Sequence, residues 1–472
     1  MSFRASLLGP LLLAVCAASA NAEVRLASVF GPSMVLQRDR PLAIWGEAAP
    51  GESIEVELAE RRARTLAAPE GHWRVELAPL AAGGPHELFV RGENELRLKD
   101  VLIGDVWLCA GQSNMEWALV ESEGAEEALA AAKPERVRFL RVAHADAKER
   151  RAHFDGVWMR CEPEVVEGMS AVAFHFAREL EQALGVPIGI VQATRSGAPA
   201  EPFVPREVLE AEPELGPALR RYARREQSEP GALFNAMIAP LAPFALRGVV
   251  WYQGEANVDY AATYRTLLPT LIQSWRATFG QPELPFLVVQ LPGWGESAAQ
   301  PGESAWAELR EAQALARNLP RVELAITLDL PASTVFHPRE KRPIAHRLAL
   351  LARARVLGEK LDALGPRMKS IAIESHAVRV RFEHAEGLRS TSARELRGFQ
   401  VAGADRVWQV ATARISGEDV VVTSDSVPEP VAVRYGWADL PEVDLVDGSG
   451  LPAEPFRSDD WSLSTTPKPG RR

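Results

Sequence analysis

From about residue 101 to residue 365, short apolar runs alternate with longer amphipathic stretches, and this alternation limits the possible folds more than any other feature of the chain. Runs too short for a buried helix, each followed by a stretch of 3.6-residue period, build parallel strands bridged by helices. Strands are expected at 101–109, 137–142, 186–193, 246–252, 285–290 and 322–329, and helices at 171–184, 260–279, 305–318 and 343–356, with Pro343 suited to a first helical turn. A parallel sheet of this kind is covered by helices on both faces and places its ligand chemistry at the carboxyl ends of its strands.

The flanks read differently. Residues 23–100 are short strands broken by turn signals such as Ala49-Pro50-Gly51 and Gly83-Gly84-Pro85, an N-terminal β domain. Residues 366–460 return to strands, for example 378–382, 420–422 and 431–435, and form a C-terminal β domain followed by a polar tail, 461–472. Within the 101–365 unit, the stretch 205–230 is charged, rich in Arg and helical in composition, a surface insertion.

With 472 residues, 47% apolar and 25% charged, the chain has the balance of a folded protein with more than one unit. A net charge of −10 without a Lys/Arg stripe excludes nucleic acid as partner. Residues 1–22 read as an export signal: Arg4, an apolar run from Leu7 to Val15, then Ala20-Asn21-Ala22. The run is about half the roughly 20 residues of a membrane span, so the mature chain is expected to begin at Glu23, periplasmic or secreted. No later segment is apolar enough to cross a bilayer. Cys109 and Cys161 remain after the signal is removed. Export permits a disulfide between them, but Cys109 lies in a strand-like run that suits a buried thiol. Without CxxC spacing neither forms a zinc site, and no metal or other cofactor is expected.

The sharpest local signal is Gly111-Gln112-Ser113-Asn114, entered directly from the strand at 101–109. A serine there exposes its hydroxyl at the sheet edge and turns its own N–H toward a developing oxyanion; the plainer reading is a helix N-cap. A serine nucleophile needs a base, and His337 in Phe336-His337-Pro338 follows the last strand of the unit, so both groups fall at one edge of the sheet. His346 is carried off by the helix from 343, and His175 lies inside one. Gly197 and Gln253 also follow strands and bring donors to the same edge, Gly197 by letting backbone approach without a side chain.

These blocks, with Met34-Val35-Leu36-Gln37-Arg38, Phe234 to Leu241, Trp251 to Asn257, Arg434-Tyr435-Gly436-Trp437 and Gly450 to Phe456, run in order along nearly the whole mature chain. In them the chain resembles the sialate O-acetylesterase family, a branch of the SGNH hydrolases. The resemblance implies a flavodoxin-like α/β sheet, a serine esterase acting on O-acetylated sugars or glycans, Ser113 as nucleophile and His337 as base. It implies oxyanion donors from the Ser113 and Gly197 amides and the Gln253 side chain, and substrate contacts from Gln112, Asn114, Asn235, Glu255 and Asn257. Two positions depart from the family pattern. Val335 stands where the family has the Asp that orients the catalytic His, which leaves a Ser-His dyad, a backbone carbonyl or a carboxylate from elsewhere, with Asp329 as the candidate substitute. Arg195-Ser196-Gly197 replaces Trp-Gly-Gly, which puts the Arg195 cation beside the substrate. Acetylated xylan is the neighbouring substrate class, and a glycan-binding protein without turnover is the reading from another class.

Overall fold

The structure is a computed structural model that describes residues 23–132, 136–216, 219, 229–298, 300–330, 335–392 and 395–467. The expected export signal 1–22, most of the charged stretch between 217 and 228, and the end of the tail lie outside the described residues.

The central sheet is built from β1 (Glu95–Gly111), β2 (Val137–Arg141), β3 (Trp158–Arg160), β4 (Ile188–Thr194), β5 (Gly248–Tyr252), β6 (Phe286–Val289) and β7 (Val322–Ala325), in the order β3-β2-β4-β1-β5-β6-β7. All neighbours are parallel except the edge strand β3. The residues of β4, β5 and β6 are buried throughout, as strands covered on both faces must be. After β1 the chain moves to one side, through α2 (Ala171–Leu184), to form β4. It then returns past β1 to β5 and continues outward through α3 (Ala261–Phe279), β6, α4 (Ala305–Leu315) and β7 to α5 (Arg342–Leu351). With right-handed crossovers this reversal sets α2 and α5, which pack on each other, on one face, and the packed pair α3 and α4 on the other. The reversal opens a crevice between the carboxyl ends of β1 and β5.

The boundary expected at residue 100 falls inside a single strand. Burial along β1 alternates from Glu95 to Asp100 and is continuous from Val101 to Gly111. The first stretch is the arm of an antiparallel hairpin with Gly83–Arg91, and the second is the axis of the parallel sheet. At the changeover Asp100 adopts a φ of 60°, a conformation Asp tolerates better than most residues. Val35–Gln37 pairs alongside the second stretch, and the N-terminal strands share one hydrophobic core with the α/β unit. Strands from 367 onward form two four-stranded sheets and a two-stranded one, with a core of their own.

Three other expectations are corrected. The strand at 322–329 stops at Ala325, and the following residues turn so that the Thr327 hydroxyl donates to the carbonyl of Gln290 at 2.6 Å. The helix from 343 begins at Arg342 and gives way after Leu351 to a wider turn, Ala352–Val356. The start of the tail is docked: the backbone and hydroxyl groups of Ser464 and Thr465 donate to the buried carboxylate of Glu308 on α4. Cys109 and Cys161 are both buried, with no disulfide between them. No helix among the described residues is long and apolar enough to cross a membrane.

Candidate active site

At the end of β1 the chain passes so close to β5 that a side chain cannot intervene. A Cβ on Gly111 would lie 2.0 Å from the carbonyl oxygen of Tyr252, and its φ of 141° is one that only glycine adopts readily. Gln112 then takes the N-cap position and Ser113 opens the one-turn helix α1 (Ser113–Glu116). The Ser113 hydroxyl is therefore not a cap. Its Oγ lies 2.8 Å from Nε2 of His337, across 224 positions of sequence.

His337 is held by rings. Trp117 stacks on it at 5.1 Å and 24°, and Phe336 meets it edge-on at 5.2 Å. Its pKa is lowered, first by burial and then by the nearby Lys341 cation, with Glu121 pulling the other way. Asp329, expected to orient this ring, does not bond to it: both carboxylate oxygens take a 2.7 Å hydrogen bond from the guanidinium of Arg347. One turn inside α5, Arg347 is close enough to claim the carboxylate for the helix.

Ser113, His337, Gln112, Gly197 and Glu255 line one open cleft of about 1060 Å³. The N–H groups of Ser113 and Gly197 have no backbone acceptor among the described residues. Gly197 has a φ of 72°, and a Cβ there would meet nothing within 4 Å, so its side faces open space. Glu116 lines the same cleft; one oxygen contacts His144 at 3.1 Å and the other accepts from the Ser196 hydroxyl at 3.0 Å, beside Gly197.

The Gln253 side chain lies behind the cleft wall instead of in it. It is fully buried, donates to Oε1 of Gln112 at 3.1 Å and to Oδ1 of Asn257 at 2.8 Å, and accepts from the Tyr264 hydroxyl. Oε1 of Gln112 also receives the N–H groups of Gly254 and Ala256, so the donor end of this amide remains uncommitted where Gln112 borders the cleft.

Most of the expected substrate contacts are structural ties. Asn257 accepts from the Ala200 N–H and donates to Glu201, and Asn235 donates to the carbonyls of Ala147 and Lys148. Arg195 borders an adjoining cavity that shares Ser196 and Gly197 with the cleft, and it faces Asp146 at 3.9 Å. Asn114 is buried under the cleft: its Oδ1 accepts from Nζ of Lys341 at 2.6 Å, and its Nδ2 donates to Glu255 at 2.6 Å and to the Phe336 carbonyl at 3.3 Å.

Lys341 escapes a reading of the sequence. It stands in Glu340-Lys341-Arg342, a run that looks solvated, yet it is 1% exposed, between the rings of Trp117 and Tyr252. Burial lowers its pKa to about 7, while the same effect raises that of Glu255. No group of residues among those described is arranged to hold a metal ion.

Residues 103–349 match the family profile described as carbohydrate esterase, sialic acid-specific acetylesterase. The chain is 31% identical to the sialate O-acetylesterases of Pongo abelii and Homo sapiens, in each case over 93% of this chain and 93% of the relative. Among solved structures, it is similar to a carbohydrate acetylesterase from Xanthomonas citri, with 37% identity, a TM-score of 0.87, and coverage of 93% of this chain and 100% of that one.

Proposed function

The chain belongs to the carbohydrate esterase family of sialic acid-specific acetylesterases, and from that premise we propose that it removes O-acetyl groups from sialic acid using Ser113 and His337. It is a hydrolase of acetyl esters on sugars. The observation that carries the assignment of residues is the 2.8 Å contact between the Ser113 hydroxyl and His337 at the crevice where the sheet reverses direction.

As Oγ of Ser113 adds to the acetyl carbonyl, Nε2 of His337 takes its proton. The oxyanion is met by the N–H groups of Ser113 and Gly197, and the Gln112 amide supplies the side-chain donor first expected from Gln253. When the ester C–O bond breaks, His337 returns the proton to the sugar oxygen. Water, deprotonated by His337, then attacks the acetyl group on Ser113 and releases acetate. No carboxylate orients His337 in this scheme: Asp329 serves Arg347, and stacking on Trp117 fixes the ring. With β2 and β3 set aside, the strands run second, first, third, fourth, fifth, which supports the flavodoxin-like reading of the sheet. We place the catalytic unit at 101–365, with the export signal at 1–22 making the protein periplasmic or secreted.

A second substrate class is favoured by one feature of the cleft. Glu116, Glu121 and Glu255 line it against a single Arg141, a balance that suits a neutral sugar such as acetylated xylan. Arg195, across the Ser196-Gly197 turn, supplies a cation for an acidic sugar. Acetate release from O-acetylated sialic acid and from acetylated xylan, measured for wild type and Ser113→Ala, separates the two. The substitution is expected to lower turnover by roughly 10⁴-fold or more. Undiminished release by the variant on both substrates would refute the assignment of Ser113.

A further inference from the structure

The Ser113 hydroxyl and the His337 ring come from elements 224 residues apart, and no carboxylate among the described residues bonds to the ring. Something else must hold the two in register. Asn114 follows Ser113 directly, and its side-chain amide donates to the carbonyl of Phe336, the residue directly before His337. A single planar group thus ties the backbone next to one partner to the backbone next to the other.

Chemistry fixes which way that amide faces. The Phe336 carbonyl can only accept, so Nδ2 must face it and the Glu255 carboxylate, which leaves Oδ1 to take the N–H of Lys341. Every polar atom of the Asn114 side chain is then occupied, away from the cleft. We propose that Asn114, locked in this orientation by Lys341 and Glu255, is the positioning residue that sets the Ser113 to His337 distance, the part an orienting carboxylate plays elsewhere. This rests on the assignment of Ser113 and His337 given above.

A pair of substitutions separates positioning from simple stabilisation. Asn114→Asp keeps the shape and an acceptor for Lys341 but removes both N–H donors and sets an anion against Glu255. Adding Glu255→Gln supplies an N–H that bonds the introduced carboxylate, while the Phe336 carbonyl still lacks a donor. The single variant is expected to melt earlier and to lose roughly tenfold to a hundredfold in kcat on O-acetylated sialic acid, with KM changed by no more than about threefold. The double variant is expected to recover the melting temperature without recovering kcat. Labelling of Ser113 by a fluorophosphonate should slow in parallel with kcat in both variants, since it reads nucleophile activation without the sugar.

If kcat and labelling return together with stability in the double variant, or are unaffected in the single one, Asn114 is a structural residue only and the proposal fails. Acetate release by Ser113→Ala at the wild-type rate would instead overturn the underlying assignment, a result independent of both Asn114 variants.

Discussion

At the scale of single residues, the site is governed by what lies around the His337 imidazole. As the proposed base, His337 must be neutral to accept the Ser113 proton, and its pKa is lowered by burial and by Lys341, so the acid limb of kcat/KM should fall below the ordinary histidine value of roughly 6.5. Lys341→Met removes a cation that opposes protonation and should move the limb to higher pH; Glu121→Gln removes an anion that favours it and should move the limb lower. A pH–rate profile of each variant checks the pair, and shifts of the same sign would contradict the electrostatic account. Ser113 and His337 are legible in the sequence because each follows an apolar strand of a sheet whose ends share one edge. The enclosure of Gln253 behind Gln112 is not, because two amides on adjoining strand ends look alike until packing decides which is enclosed. Asp329 looks available in the sequence because its captor, Arg347, lies 18 residues on and meets it only when α5 folds back against β7.

At the scale of elements, the strand-to-helix turn after β1 carries the proposed nucleophile and tolerates little change. Gly111→Ala would drive a methyl against the Tyr252 carbonyl and force a side chain into a conformation it resists. A loss of about 3 kcal/mol or more is expected from denaturant unfolding; a loss below about 1 kcal/mol would show that β1 and β5 can separate there at little cost. The alternation of strand and helix reads well from periodicity, and α2 matches its expected limits at both ends. Strand ends read less well, as β7 shows, since apolar composition continues through Leu328 and Leu330 after the pairing has stopped. The edge strand β3 has only three residues and leaves no period to detect.

At the scale of the whole molecule, the C-terminal sheets are fastened to α4. Arg310, fully buried in that helix, donates to the carbonyls of Gly436 and Ala438, while Glu308 holds Ser464 and Thr465. Glu308→Ala removes the shared acceptor of the Ser464 and Thr465 backbone and hydroxyl donors and should weaken this docking by roughly 1–3 kcal/mol. Limited proteolysis should then cleave within 461–467 before the rest of the chain unfolds; resistance equal to wild type would count against the docking role. In the sequence this segment reads as a loose end, because its fastening consists of two hydroxyl residues that bind a carboxylate some 150 positions earlier. The uninterrupted course of β1 has a larger consequence. Ser113, the proposed nucleophile, sits just past the tip of a 17-residue beam whose root is braced in the outer hairpin and which turns at Asp100 without breaking where the two sheets meet. A catalytic unit excised at residue 101 would be cut through that beam, so the front module and the chemistry must be transplanted, recombined or inherited together.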